Sequence, residues 1–290
     1  MVNRDIIPKI KQATVAVGLV RKGTFQMVSV NGSGFMIDKN GIILTAKHVV
    51  DGLRYLQEHH NRANKIETNI AIFRPIHNST EFNFDTGVID QFRNITHSKK
   101  GEHFPLFDID LAFCKLAKPF PDFNPLEIKF PEHLKTLQEV AVCGYPSGEH
   151  SLDIQGKNIG VRFSPILQLG RIGGLLPFDD APNPYGIQTD IIGVGGSSGS
   201  PLVDPNDGSV IGIAQKVLPA GVSVEVKDHE TGKNMKGFGT AIIGQIYGLT
   251  NHILHPVTNA VRRYFAGERI DEFQINATGL DFHYHLVGTK

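Results

Sequence analysis

Residues 32–50 read GSGFMIDKNGIILTAKHVV. Two short apolar runs flank Asp38-Lys39-Asn40-Gly41, a set of residues that favours a tight turn, so the stretch reads as a β-hairpin. The second strand runs into a short turn with small Ala46, which sets the imidazole of His48 at the end of a packed strand pair. The same grammar recurs along the chain. ATVAVGLV, TNIAIF, DLAFCKL, VAVCGYP, SPILQLG, PLVD, SVIGIAQKV and GVSVEV are short apolar or alternating runs, punctuated by Gly, Asn, Asp and Pro. Many short strands joined by turns predict a β-barrel or a β-sandwich.

Two segments carry helical spacing instead. One is residues 51–61, DGLRYLQEHHN. The other covers roughly residues 245–265, where Ile246, Leu249, Ile253, Val257, Val261 and Tyr264 recur at intervals of three and four. Pro256 is expected to end or kink that second helix. Between Lys118 and Lys135 four prolines mark an extended linker between two β-rich halves. The tail EFQINATGLDFHYHLV alternates like one more strand and sets His283 and His285 on one face. Two histidines without a partner cluster predict a half-exposed strand in preference to a metal site.

Composition narrows the function classes. The 290 residues hold 29 Lys+Arg and 29 Asp+Glu, so the formal net charge is zero and no basic stripe advertises nucleic acid. Pro8, Lys9, Lys11 and Gln12 interrupt any apolar core of a leader peptide, and no apolar run approaches a membrane span. The two cysteines, Cys114 and Cys143, sit in strand-like runs and read as buried small hydrophobes. The expected compartment is therefore the cytoplasm, and the Asn-x-Ser/Thr matches at Asn31, Asn78, Asn94 and Asn276 are read as chance.

Residues 193–204, GVGGSSGSPLVD, raise the question of chemistry. A serine hydroxyl attacks a carbonyl only when a base takes its proton and a third group orients the base. His48 is the candidate base. Asp110, placed immediately before the apolar strand LAFCKL, is the candidate orienting carboxylate, with Asp108 two residues away as its competitor. The order His, Asp, Ser is that of one known class of triads.

On these stretches the chain resembles the chymotrypsin-like (trypsin-like) serine peptidases, and within them the high-temperature-requirement (HtrA/Deg) branch. GSGFMIDKNGIILTAKHVV resembles that branch's histidine hairpin, DLAFCKL its aspartate strand, IQTDIIGVGGSSGSPLV its serine loop and GFGTAI a late strand. The resemblance implies an all-β fold of two antiparallel six-stranded β-barrels, with a C-terminal helix and short tail. The corresponding division is 1–117 for the first barrel, 118–136 for the linker, 137–244 for the second barrel and 245–290 for the helix and tail. It implies His48 as general base, Asp110 as its orienting carboxylate and Ser198 as nucleophile, with the N–H groups of Gly196 and Ser198 as oxyanion hole. Ile192, six residues before the nucleophile, would floor the primary specificity pocket and select apolar P1 residues. The substrates are then proteins or peptides. No PDZ domain is expected after GFGTAI, and residues 75–108 or the C-terminal segment are the expected surface for a partner protein or a second copy.

Several residues depart from the pattern. Ser197 stands where secreted digestive relatives carry an aspartate, so activation by an N-terminal cut looks unavailable. Ser197 is also central to a Gly-x-Ser-x-Gly match, but the proline and strand-turn that follow do not suit a nucleophile elbow, which needs a helix. Ser200 replaces a glycine, and Gln215 replaces a small hydroxyl residue beside the catalytic carboxylate. These departures define the rival reading, a catalytically silent binding module of the same fold or a peptidase inactive until a partner orders its loops. A serine triad needs no metal or cofactor. Cleavage should therefore survive EDTA; loss of cleavage on chelation, restored by a divalent cation, would contradict the triad reading.

Overall fold

The computed structural model describes residues 3–24, 26–76, 84–97, 109–122, 124–131, 133–146, 150–154, 157–162, 164–217, 224–227, 234–237, 244–277 and 280–289. A short helix α1 (Ile7–Ala13) leads into β1 (Thr14–Arg21), β2 (Met27–Asp38) and β3 (Ile42–Thr45). The hairpin expected from residues 32–50 is the β2–β3 pair, with Phe35 opposite Leu44 and Gly34 opposite Thr45. Helix α2 (Lys47–His59) follows, then β4 (Thr68–Pro75), β5 (Phe84–His97) and β6 (Ala112–Leu116). Strand order β5-β4-β1-β2-β3-β6, together with pairing of β5 to β6, closes these six strands into a barrel.

The second half comprises β7 (Glu139–Gly144), a hairpin of β8 (His150–Ile154) and β9 (Lys157–Arg162), then β10 (Ile166–Leu176), β11 (Gly186–Gly193), β12 (Pro201–Val203) and β13 (Val210–Val217). A hairpin of β14 (Val224–Lys227) and β15 (Asn234–Gly237) precedes β16 (Gly244–Thr250). Strands β10-β11-β16-β13-β12-β7 close the second barrel. The architecture is thus the pair of six-stranded antiparallel barrels that the sequence implied. Most of GFGTAI, residues 238–242, lies outside the described residues.

Period-2 alternation explains how the barrels join. In β7, Val140 and Val142 belong to the core of the second barrel, whereas Ala141 and Cys143 belong to the large cluster that continues into the first barrel. A strand buried on both faces must be apolar throughout, which is why VAVC shows no alternation. Cys114 and Cys143 are free and buried, and burial pushes their thiols up to about 12 and about 11 respectively. The proline-rich linker is extended and bonded to both halves. Leu126 N–H donates to the Met36 carbonyl at 2.8 Å, and Lys129 N–H donates to the Val210 carbonyl at 2.9 Å.

The C-terminal region departs from expectation in three ways. Residues 245–250 belong to strand β16 of the second barrel, so the boundary expected at 244 falls after Thr250. Helix α3 (Asn251–Phe265) does not end at Pro256 but continues past it, forgoing one ladder hydrogen bond while Ile253, Leu254, Val257 and Val261 bury its apolar face. The tail is a hairpin of β17 (Phe273–Ala277) and β18 (Leu280–Thr289). β18 pairs with residues 92–97 of β5, so the end of the chain extends the sheet of the first barrel. Within the expected partner surface, residues 92–97 and this hairpin are thus engaged with each other, while residues 84–94 pair with β4 and β6; residues 77–83 and 98–108 lie outside the described residues. Arg93 reinforces the junction by donating to the Tyr264 hydroxyl at 2.7 Å.

Tyr284 is 1% exposed in the shared core, facing Phe273 across the hairpin. Tyr284→Ala should cost about 3–5 kcal/mol, the usual range for removing a buried aromatic ring. Urea unfolding measures it, and a loss below about 1 kcal/mol would mean that the tail is not integral to the first barrel.

Candidate active site

Helix α2 begins at Lys47, and its N-cap residue Ala46 has no side chain to offer the first-turn N–H groups. Such groups need acceptors from elsewhere. Asp110, immediately before β6, supplies them. Its carbonyl accepts from Lys47 N–H at 3.3 Å, and its Oδ1 accepts from His48 N–H at 2.8 Å. Its Oδ2 lies 2.6 Å from Nδ1 of the His48 ring. One carboxylate therefore holds both the backbone and the ring of the same histidine. An ionised carboxylate only accepts, so Nδ1 carries a proton, and in the neutral ring the lone pair is then the one on Nε2.

Burial by itself would push the Asp110 carboxyl up. The hydrogen bond from the His48 ring, its charge, the His48 backbone N–H and the charge of Lys216 outweigh burial and hold it below the usual carboxylate range. A negative charge at a helix start is also favoured by the helix dipole.

The serine loop is a set of tight turns between β11 and β12. Ser197 N–H donates to the Val194 carbonyl at 3.1 Å, Ser200 N–H to the Ser197 carbonyl at 3.1 Å, and Gly199 N–H to the Ala214 carbonyl at 2.7 Å. Gly196 has φ +89° and Gly199 φ +86°, left-handed conformations in which a side chain would be strained. The N–H groups of Gly196 and Ser198 have no partner among the described residues, so both donors are available to an anion.

The Ser198 hydroxyl donates to the Gln215 carbonyl at 3.0 Å. The Gln215 side-chain amide in turn donates to the Asp110 carbonyl at 3.2 Å. Gln215 therefore serves the aspartate's backbone, where a small hydroxyl residue was expected beside its carboxylate. The hydroxyl proton of Ser198 is thus engaged by the Gln215 carbonyl. A χ1 rotation of roughly 120° separates adjacent staggered positions.

The competing serines are occupied or shielded. Ser197 is 4% exposed and its Oγ accepts from Val194 N–H at 3.3 Å. The segment after it is strand β12, with no helix to make an elbow. Ser200 Oγ is fully buried without a hydrogen-bond partner, and a Cβ on Gly144 would come within 1.9 Å of it. Ser200 thus faces the end of β7. Asp108 lies outside the described residues. Ile192 is 60% exposed on β11, paired with Gln245 of β16; residues 218–223, which continue from β13, lie outside the described residues.

Sequence reasoning passed over Ser33. Its N–H donates to the Ser198 carbonyl at 2.8 Å and its hydroxyl to the Gly196 carbonyl at 2.8 Å, while Tyr145 N–H donates to that same hydroxyl at 2.8 Å. The only signal was its place in the GSGF stretch. His283 lies 3.4 Å from Glu272, and His285 Nδ1 meets the Asp271 carbonyl at 2.5 Å. No group of three or more metal-ligating side chains occurs among the described residues.

Two closed antiparallel barrels, with Asp110 of the first bonded to His48 and linked through Gln215 to Ser198 of the second, match the trypsin-like class of folds. The chain belongs to the trypsin-like peptidase domain family, which matches it over residues 32–213. It is 27% identical over 226 residues, 77% of its length, to serine protease HTRA1B of Danio rerio, and spans 38% of that protein. Among solved structures, the HtrA-type protease AlgW with a decapeptide superposes with TM-score 0.51 at 15% identity, covering 89% of this chain and 66% of the other. Deg5 gives TM-score 0.44 at 21% identity, covering 73% and 82%. The AlgW likeness supports the fold. No helix among the described residues is long and apolar enough to cross a membrane.

The pH dependence of stability follows from Asp110. Its folded value lies below its unfolded one, so the stability it confers is complete above about pH 4, the ordinary carboxylate value. That stability is lost as pH falls through the lowered folded value. Thermal unfolding of wild type against Asp110→Asn should show a wild-type advantage at neutral pH that shrinks below about pH 4. An advantage undiminished at about pH 2 would contradict the ionised pair.

Proposed function

We propose that this protein is a serine endopeptidase that cuts peptide bonds through His48, Asp110 and Ser198. The observation that carries the reading is the double grip of Asp110 on His48, which in the neutral ring leaves Nε2 as a proton acceptor. Family membership supports a serine peptidase, and the AlgW structure with a decapeptide supports peptides as the substrate class.

In this mechanism the Ser198 hydroxyl rotates from the Gln215 carbonyl toward His48. Nε2 takes its proton as Oγ bonds to the scissile carbonyl carbon. The carbonyl π electrons move onto oxygen, where the N–H groups of Gly196 and Ser198 receive the charge. His48 returns the proton to the leaving amine as the C–N bond breaks, and the acyl-enzyme remains. A water, deprotonated by His48, attacks the ester; Ser198 leaves and regains the proton. Asp110 stays ionised throughout and stabilises the imidazolium.

We also infer an apolar P1 preference from Ile192, whose aliphatic side chain offers no countercharge to Lys or Arg. Two unpaired cysteines fit a reducing compartment, and we infer the cytoplasm. A second reading has one observation in its favour: Ser198 is bonded to Gln215. In that reading the enzyme rests until a bound partner or substrate turns the hydroxyl.

Cleavage of a peptide library separates these readings. Wild type should cut after apolar residues, Ser198→Ala should lose on the order of 10⁶ in turnover, and Ser197→Ala should retain activity. Loss in Ser197→Ala with retention in Ser198→Ala would reassign the nucleophile. Ile192→Asp should shift the preferred P1 residue toward Lys and Arg; an unchanged preference would remove Ile192 from the specificity pocket. Cleavage that appears only after a partner is added would favour the resting-enzyme reading.

A further inference from the structure

Gly196 presents a mechanical problem. Its N–H must point at a developing negative charge, yet it follows Gly195 in the chain and sits at φ +89°. Two consecutive glycines give the backbone wide freedom, and a Cβ built on Gly195 would meet nothing within 4 Å. Something outside the loop has to fix its conformation.

We propose that Ser33 is a positioning residue that locks the oxyanion loop from the opposite barrel; for its effect on turnover this rests on the peptidase reading above. The side chain of Ser33 is completely buried. Its Oγ accepts from Tyr145 N–H at 2.8 Å and donates to the Gly196 carbonyl at 2.8 Å. A hydroxyl has one proton, and a backbone N–H can only donate. With Tyr145 N–H filling one lone pair, the hydroxyl proton is left for the Gly196 carbonyl.

This bond fixes the plane of the Gly196–Ser197 peptide, whose N–H end is bonded to the Val194 carbonyl. The Ser33 N–H fixes the next carbonyl of the nucleophile itself, bonding Ser198 at 2.8 Å. The position of Ser33 is set in turn by Thr45, whose hydroxyl donates to the Ser33 carbonyl at 2.6 Å. Gly199 lies against the same carbonyl so closely that a Cβ there would come within 2.0 Å of the Ser33 oxygen. One residue of β2 therefore holds two carbonyls of the serine loop and is itself tied to both β3 and the end of β7.

The side chain and the backbone have separable roles. Ser33→Ala keeps the backbone bond to Ser198 and removes only the restraint on Gly196. The loop should then sample conformations in which the two oxyanion donors diverge. The negative oxygen of the tetrahedral intermediate depends on those donors more than a neutral ground-state carbonyl does.

The test compares wild type, Ser33→Ala and Ser33→Thr, which restores the hydroxyl. Hydrogen exchange of amides in residues 195–200 should quicken about tenfold or more in Ser33→Ala, by loss of roughly one hydrogen bond, with exchange in β1 unchanged. Turnover of an apolar-P1 peptide should fall about tenfold to a hundredfold with KM nearly constant. Inhibition by a peptide aldehyde, whose adduct carries an oxyanion, should weaken in proportion, while affinity for the amine-side product peptide, which brings no carboxylate to those donors, stays the same. Ser33→Thr, if folded by its unfolding transition, should recover exchange protection. Unchanged exchange in residues 195–200 overturns the proposal whatever the activity. So does a fall in turnover matched by an equal loss of affinity for the amine-side product. If exchange quickens but folded wild type cuts no peptide, the lock stands and the peptidase reading fails.

Discussion

Asp110 acts on His48 from outside the element that carries it. Helix α2 starts without a capping side chain of its own, and the carboxylate that satisfies its first turn lies 62 residues further along the chain. Because the same carboxylate also bonds the ring, folding the barrel and orienting the imidazole are one event. Strands β3 and β6 pair side by side, with Thr45 opposite Ala112, so the start of α2 and Asp110 emerge together at one end of that pair. The ladder register thus fixes the histidine–aspartate distance.

The second barrel meets this pair through a seam with little spare room. Gly199 is packed against the Ser33 carbonyl, and Ser33 bonds to the serine loop from both its backbone and its side chain. Gln215 extends the connection, accepting the Ser198 hydroxyl with its carbonyl and donating to Asp110 with its amide. The proline-rich linker and the returning C-terminal hairpin reinforce the arrangement from outside. Residues on both barrels are therefore required before the candidate serine is in register with the histidine–aspartate pair.

Much of this was legible in the chain. The hairpin over residues 32–50 could be read because its turn chemistry and apolar runs agree, and His48, Asp110 and Ser198 could be named because the stretches around them resemble a known family's motifs; they lie in the first turn of α2, just before β6 and in the turns between β11 and β12. Other elements were hidden for physical reasons. Strand β5, FDTGVIDQFRNITH, is rich in polar residues because most of its side chains are half-buried or exposed, with Ile89 and Ile95 reaching the core. Residues 245–250 look helical because Ile246 and Leu249 are three apart, a spacing continued by Ile253. Gly248 was the contrary signal, being costly in a helix interior. Pro256 does not break α3 because a buried apolar face outweighs one missing ladder bond. Ser33 was invisible as a site residue since its role depends on carbonyls 163 and 165 positions away.

The assignment of Ser198 as nucleophile is tested most directly by treating the intact protein with a fluorophosphonate and mapping the adduct by peptide mass spectrometry. A single phosphonate on Ser198, absent when His48 is replaced by Ala, is the outcome predicted here. An adduct on Ser197 or Ser200, or a folded protein that takes up no phosphonate even with candidate activating partners, would contradict it.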